Sequence, residues 1–531
     1  MFERIVLCGL ATRLKSQGPQ QTKLALLCAG IFTITLSLFR IFRWDQFLYV
    51  LYNSDTLYLI NLFDAVKDGS LSSLQFSHLP SVFPDGLVIC VLMAMGVSFS
   101  IAYKVYAAGS LLALFGTAMA IIREIAKSAV AAGYCMLLCF VVVLSLFVPF
   151  IYVLAQSLIV GVHGGSLILS IVSSYWAWRY LSSPGHPGKF LFAVAVSSGA
   201  GTFSDVILVL QFVLPNIAAS LFILFLRRTL SAAVVTLNVM VIVMAAAGYT
   251  AFKFLPTTPF PPSTLDSVTQ NAALFWSHVD TPLALISLLP SISLTYLSAV
   301  LFFGRFLPMT LKRGDTELTA GTAFEARTYF LAFGTTAALI GDALVTIAYQ
   351  DAYTFRYNLP AVWWPVVLGA ALIPVRGRIT VAPIVPLFFL LLASLAVTVR
   401  AHEARPFWPD TLVHCLEEMN QTVPLDDGLA DYWIAHPVTE FSHRRYVMGQ
   451  VDQSGDPFMW LNNRRDFFAD KAGLTLRNYN FFIEKRAAVA DIETRFGPAS
   501  SRKTCGEYEI IYYADSAKIR DRLSAWFQKN P

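Results

Sequence analysis

Charge is scarce in this chain, and several common functional motifs are absent. Only 14% of its 531 residues are charged, whereas 56% are apolar and the mean hydropathy is +0.59. A soluble core does not need that much apolar sequence, and several runs approach the roughly 20 apolar residues that cross a bilayer. The chain has no GxxxxGK followed by Ser or Thr, no HExxH and no Cys/His zinc spacing, which weighs against an ATP-driven transporter and a zinc protease.

Cysteine is also scarce, with seven residues in all. Five lie in the N-terminal tail or in apolar segments, and their spacing matches no metal site. Cys415 and Cys505 lie in a polar C-terminal region. Two cysteines in one exported domain predict a single disulfide. Two unrelated thiols are the alternative.

Apolar segments and basic residues together predict the topology. About eleven apolar segments lie between residues 24 and 399. The first, 24–42, has no small-residue cleavage site, which indicates a signal anchor. Fifteen Lys and Arg residues flank one side of the segments and five flank the other. The richer side marks the cytoplasm, so the loops 43–85 and 350–358 and everything after residue 400 are expected outside.

The expected organisation is therefore a mainly α membrane protein with three regions. Residues 1–23 form a cytoplasmic tail, 24–400 a polytopic helical bundle, and 401–531 a small external α/β domain. Segment 86–122 does not fit simple counting, because 37 residues are too long for one straight span. Either one half lies in the interface or re-enters, or the basic loop after it is an exception to the charge rule.

The C-terminal region changes to a mixed, charged composition typical of a small domain. Helical patterning covers 410–420 and 487–496, and the pattern predicts strands over 445–451, 478–483 and 507–513. The disulfide is expected to join the first helix to the last strand.

The loop after the first span carries the leading catalytic candidate. An apolar face with a 3.6-residue period predicts a helix over 56–67 that lies along the interface. Asp55 stands at its start and could take a proton from an acceptor hydroxyl or position a metal. The alternative is a helix cap supplied by Ser54 or Asp55. Asp68 is explained by a helix stop and Asp85 by the start of the next helix.

Four further positions are candidates because ionisable groups at membrane depth are costly and often functional. Arg356, followed by Tyr357, suits a phosphate, although a salt bridge or a snorkelling side chain is the alternative. Asp205 ends a Gly-rich break in an apolar run and is either a second acid or a cap for the next helix. His163 contacts a phosphate or hydroxyl, or simply packs. Asp342 lies two to three turns before the outer loop.

Three features resemble the GT-C class of membrane glycosyltransferases. The first is an acid in the first external loop, in Asn53-Ser54-Asp55, with a Pro-containing return at residues 79–84. The second is the segment 356–360, Arg-Tyr-Asn-Leu-Pro, which is similar to the Arg-Tyr-x-x-Pro of an external loop late in the bundle. The third is the layout of about eleven spans followed by an external domain. The likeness covers residues 24–400.

The resemblance implies an inverting glycosyltransferase of the bacterial inner membrane that uses a polyprenyl-phosphate sugar. Asp55 maps to the base or metal-associated carboxylate, and Arg356 with Tyr357 to the group that holds the donor phosphate. Asp205, His163 and Asp342 would line the pocket. A single loop Asp, where many members carry paired acids, leaves a requirement for a divalent metal (Mg or Mn) open.

The expected partners are the lipid-linked sugar, membrane lipids and a glycan, lipid or protein acceptor, with no nucleic acid. The C-terminal domain would then be periplasmic. Two other classes compete with this interpretation. A transporter or flippase of lipid-linked glycans also places charges inside a helical bundle, and a non-catalytic scaffold of the cell envelope would use only the external domain.

Overall fold

The structure is a computed structural model of the chain. It describes residues 29–31, 33–35, 37–38, 53–77, 80–126, 130, 133–134, 136–138, 140–141, 156–158, 161, 163–227, 231–257, 264–277, 322–348, 356–372, 408–470 and 475–530. The N-terminal tail 1–23 and the apolar segments 283–304 and 379–399 lie outside the described residues. The count of eleven spans therefore stays a prediction.

The described part is mainly helical with a small sheet region. The α-helices with described bounds before residue 400 are α1 Ser54–Lys67, α2 Leu87–Ala94, α3 Phe99–Ala126, α4 Gly164–Ser182, α5 Gly188–Ser204, α6 Leu214–Arg227, α7 Ala232–Phe252, α8 Leu265–Ser277, α9 Thr322–Ala348 and α10 Leu359–Leu372. Three of them, α3, α7 and residues 325–348 of α9, are long and apolar enough to cross a membrane. The chain is thus consistent with a membrane protein.

The long apolar segment 86–122 is divided into a short and a long helix. A turn at Met95 and Gly96, where Gly96 has φ +84°, separates α2 from α3. The eight residues of α2 rise only about 12 Å, whereas the 28 of α3 rise about 42 Å. Of the two halves, only α3 is long enough to span a bilayer. This division fits the expectation that one half does not cross.

Large aromatic residues fill the centre of the helical region. Trp178 of α4 packs on Tyr329 of α9 with ring centroids 5.8 Å apart, and Phe333 packs on Trp364 of α10 at 5.0 Å. All four side chains are buried. Small residues allow other helices to approach closely: a Cβ at Gly248 of α7 would lie 2.1 Å from the carbonyl oxygen of Gly199 in α5.

The C-terminal region forms an α/β domain. Its helices are α11 Trp408–Asn420, α12 Tyr432–Phe441, α13 Val489–Phe496 and α14 Ala517–Lys529, and its strands are β2 Asp427–Ala430, β3 Met448–Gln450, β5 Tyr479–Lys485, β6 Ser501–Cys505 and β7 Tyr508–Tyr512. The strand order is β3-β2-β5-β7-β6. β2 is parallel to β3 and β5, while β7 is antiparallel to β5 and β6. Two separate apolar clusters of the domain are built from this sheet and its helices.

Cys415 and Cys505 form a disulfide, with their Cα atoms 6.2 Å apart. It joins α11 to β6 rather than to the last strand, β7. The expectation about the strand was wrong. Residues 501–505 form an edge strand whose side chains are mostly polar and partly exposed, so their sequence lacks the apolar pattern that predicts a strand.

The domain is docked on the loop that contains α1. β1 (Leu74–Gln75) of that loop pairs antiparallel with β4 (Asn462–Asn463) of the domain. The helices α1 and α12 also lie against each other, with Asn61 Nδ2 donating to His436 Nδ1 at 3.2 Å. Arg444, just after α12, forms an ion pair with Asp64 at 2.6 Å. These contacts make the first loop a shared element of the bundle and the domain.

Candidate functional site

Asp55 lies in the first turn of α1 and is half-buried. The cap of this helix is Asn53, whose Oδ1 accepts from the Thr56 N–H at 3.0 Å. The expectation that Ser54 or Asp55 supplies the cap was wrong. Asp55 instead accepts a hydrogen bond from the hydroxyl of Tyr432, and the Ser54 hydroxyl donates to the carbonyl oxygen of Tyr432. Both side chains therefore point to the C-terminal domain.

Gly161 joins the start of α1 to a second carboxylate, Asp85. It has φ +78°, and a Cβ there would lie 2.4 Å from the carbonyl oxygen of Asp55. Its N–H donates to Asp85 Oδ2 at 3.1 Å, and the Tyr106 hydroxyl donates to Asp85 Oδ1. Asp85 is only 3% exposed. It is a buried carboxylate with a hydrogen bond on each oxygen, and Gly161 connects it to the start of α1. The interpretation of Asp85 as merely the start of a helix was incomplete.

Asp205 and His163 form a buried pair. Asp205 follows α5 with an extended backbone, and its Oδ1 accepts from the Ile207 N–H at 3.0 Å. It therefore caps the following helical segment, as one of the two alternatives expected. Its Oδ2 accepts from His163 Nδ1 at 2.8 Å and from the Ser166 hydroxyl at 2.5 Å. The Asp205 carboxylate thus caps a helical segment with one oxygen and binds His163 and Ser166 with the other.

The pair fixes the orientation of the His163 ring. With Nδ1 directed at the Asp205 carboxylate, Nε2 is the ring nitrogen left to meet another group. His163 is 2% exposed, and Nε2 has no hydrogen-bond partner among the described residues. A buried polar atom without a partner is costly. Such an atom suits a ligand group that arrives during function.

The return of the first loop packs on the end of α5. The Ser81 N–H donates to the Ser204 carbonyl oxygen at 3.0 Å, and the Phe83 N–H donates to the Ser204 hydroxyl at 2.8 Å. Asp205 follows Ser204 directly, and a Cβ at Gly165 of α4 would lie 2.1 Å from Asp85 Oδ1, so Asp85 lies against the helical turn that also carries Ser166, a partner of Asp205. The first loop and the end of α5 therefore meet.

Arg356 and Tyr357 reach the same cluster from the start of α10. The Tyr357 ring lies 4.7 Å from the His163 ring, centroid to centroid, and the Arg356 guanidinium lies 5.2 Å from the Tyr357 centroid. Asn358 follows, 1% exposed, and its amide has no hydrogen-bond partner among the described residues. A guanidinium, an imidazole and an amide are the donor types that bind phosphate oxygens.

Asp342 lies at the edge of this arrangement. It is half-buried in α9, directly after Gly341. A Cβ at Gly341 would lie 3.0 Å from Asn358 Oδ1 and 3.4 Å from the Tyr357 carbonyl oxygen. The backbone of α9 therefore touches the Arg356 loop at this position, and Asp342 is one residue from that contact.

Three residues of the cluster were missed or set aside by sequence reasoning. Asp85 had a usable signal, because an acid at the edge of a long apolar run is a functional candidate by default. Asn358 lies inside the Arg356 segment but is an ordinary polar residue by its sequence. Tyr432 lies 377 positions from Asp55, and nothing local marks it.

Comparison with models of known protein families, with curated proteins and with solved structures found no match. Among the described residues, no group of three or more His, Cys, Asp and Glu side chains is arranged to hold a metal ion. Asp85 and Asp205 are engaged by Tyr106, Gly161, His163 and Ser166 instead.

Proposed function

We propose that the chain is a multi-pass membrane glycosyltransferase of the GT-C type that takes a sugar from a polyprenyl-phosphate donor. The observation that carries the proposal is the continuous contact from Asp55 through Gly161 and Asp85, and from Asp205 through His163 to the Arg356 loop. Transfer from a phosphate-linked sugar requires a base for the acceptor hydroxyl and a positively charged group for the phosphate. Asp55 and Arg356 are the residues of these two types in the cluster.

In the proposed reaction, the acceptor hydroxyl attacks the anomeric carbon from the face opposite the phosphate. The bond between that carbon and the phosphate oxygen breaks, and the configuration inverts. Asp55 takes the hydroxyl proton. Arg356 binds the phosphate as its negative charge grows, and Tyr357 stacks against the guanidinium to hold it. The mechanism has no step through a metal ion.

The buried pair supports the donor side. Asp205 holds His163 by Nδ1, and the Tyr357 ring covers the imidazole. Nε2 of His163 and the amide of Asn358 are then placed to meet a polar group of the donor, which would satisfy the atoms that lack partners. The donor would enter sideways from the lipid, and the bacterial inner membrane with the C-terminal domain in the periplasm is the setting that the charge distribution favours.

The test is reconstitution of the full-length protein in vesicles with a radiolabelled polyprenyl-phosphate sugar and envelope acceptors. Asp55→Asn should lower transfer at least about 100-fold, because removal of a general base has effects of that order. The variant should fold normally, since the Asn amide oxygen still accepts from Tyr432. Asp266→Asn, at an exposed acid of α8, is the matched control and should retain wild-type transfer.

Near-normal transfer by Asp55→Asn would remove the proposed base. The same vesicles separate the competing classes. Movement of the lipid-linked sugar across the bilayer without transfer would indicate a flippase, and neither movement nor transfer would leave a scaffold.

A further inference from the structure

The C-terminal domain contacts the proposed base directly. The Tyr432 hydroxyl donates to Asp55 Oδ1, and the carbonyl oxygen of the same residue accepts from the Ser54 hydroxyl. One residue of the domain is thus attached to two consecutive residues of α1. Tyr432 and Ser54 are buried, at 7% and 0% exposure, and Asp55 is half-buried.

Tyr432 is held rigidly by its own domain. It is the first residue of α12 and follows the N-cap Asp431, whose Oδ1 accepts from the Ile434 N–H at 3.1 Å. Its ring packs at 4.9 Å from Trp433 and at 6.0 Å from His436, centroid to centroid. A phenol has two side-chain torsions, so a packed ring places its hydroxyl with little freedom.

The remaining contacts between α1 and α12 keep this arrangement in register. Asn61, two turns after Ser54, bonds to His436, one turn after Tyr432. Asp64 follows with its ion pair to Arg444. The two helices therefore run in the same direction with their N-termini together. The start of α1 is determined by the domain as much as by the bundle.

We infer that Tyr432 is a positioning residue for the transfer reaction. Its hydroxyl holds the Asp55 carboxylate in the orientation in which that group accepts the proton of the acceptor. The inference rests on the proposed function, and it makes the C-terminal domain a component of the active site in place of an accessory module. Tyr432 itself does not touch the reacting atoms in this scheme.

The experiment compares the full-length wild type with Tyr432→Phe, Asp55→Ala and the double variant in the reconstituted transfer assay. Tyr432→Phe keeps the ring and removes one hydroxyl. Because misplacement of a reacting group by about 1 Å lowers a rate about 100-fold, kcat should fall about 10- to 100-fold while the KM for the donor stays within about twofold. In the Asp55→Ala background, the same change should have no further effect on the residual rate, since Tyr432 acts through Asp55.

Tyr446→Phe is the matched control. Tyr446 is also buried in the same domain, at 1% exposure, and its hydroxyl has no hydrogen-bond partner among the described residues. This variant should keep wild-type kcat and KM. A merely structural hydroxyl would lower the melting temperature of Tyr432→Phe and leave the kcat of the folded enzyme unchanged.

The inference is overturned if Tyr432→Phe keeps a kcat within about twofold of wild type, or if it lowers the residual rate of Asp55→Ala further. A wild type that transfers no sugar defeats the proposed function and the positioning role with it, which is a different result from normal transfer by Tyr432→Phe. In that event the melting temperatures of the same four proteins still report on the contact. Additive effects would show that the Tyr432–Asp55 hydrogen bond is absent, and coupled effects would show a purely structural junction.

Discussion

At the scale of single residues, the candidate site depends on a glycine where a side chain would collide with the start of α1. Gly161 adopts φ +78°, a conformation that favours glycine. The absence of a side chain lets it lie against the backbone of Asp55 while its N–H reaches Asp85. Backbone atoms cannot move aside as the end of a flexible side chain can. The positions of α1 and of Asp85 are therefore linked through one residue.

Gly161→Ala should consequently lower transfer at least about 10-fold, because the new Cβ displaces the first turn of α1 and with it Asp55. Gly185→Ala is the matched control: Gly185 has φ +72°, but no atom lies within 4 Å of its Cβ position. Both variants carry a backbone strain of about 1 kcal/mol. Only the collision differs, so the ratio of their transfer rates, measured at equal amounts of folded protein, isolates it. Equal rates would argue against the contact between Gly161 and Asp55.

At the scale of elements, close helix packing holds the break at Asp205 in place. α5 ends at Ser204, and its neighbour α7 approaches so closely that a Cβ at Gly248 would lie 2.1 Å from Gly199 O and 3.0 Å from the Phe203 N atom. Small residues at such crossings are typical of membrane helices, because they allow van der Waals contact between backbones. The end of α5, and hence Asp205, is fixed by this crossing.

Gly248→Ala should destabilise the protein by about 1–3 kcal/mol, the usual effect of overpacking, even though alanine is the better helix former by about 1 kcal/mol. Gly116→Ala in the middle of α3 is the control, because nothing lies within 4 Å of that Cβ position. The control should be neutral or slightly stabilising. Thermal unfolding in detergent, followed by loss of monodisperse protein, measures both; a Gly248→Ala protein as stable as Gly116→Ala would contradict the close crossing.

The elements also differ in how well local sequence predicts them. The apolar segment 359–373 appears as α10, and the predicted interfacial helix 56–67 appears as α1, which begins two residues earlier. β2 and α12 were not expected, because β2 has only four residues and the Pro437 inside α12 argues against a helix. Packing of α12 on α1 and on the sheet outweighs that local preference.

At the scale of the whole molecule, a buried histidine makes the junction of domain and bundle sensitive to acid. His436 lies on α12 and accepts from Asn61 of α1 through Nδ1. Burial lowers the pKa of His436 from 6.5 to about 4. Between these values the unfolded chain binds the proton and the folded protein does not, so stability is lost as the pH falls through this window. The difference corresponds to about 3 kcal/mol.

We therefore expect the melting temperature of the full-length protein to fall between pH 6.5 and pH 4.5 partly through His436. In His436→Gln, the slope of melting temperature against pH in this range should be shallower than in the wild type. His414→Gln, at an exposed residue of α11, should keep the wild-type slope. Equal slopes for wild type and His436→Gln would show that this histidine is not buried neutral at the junction.

The sequence by itself determined the mainly helical class with apolar segments long enough to span a membrane, the break at Asp205 and the acid at the start of α1. Each of these rests on a local pattern: hydrophobic length, helix punctuation or a charge at the edge of an apolar run. The tertiary structure alone decided that Asp85 is buried between Tyr106 and Gly161, and that Tyr432 reaches Asp55 from a domain 377 positions away. Such contacts arise where separate elements pack together, and no local pattern records which residues then become neighbours.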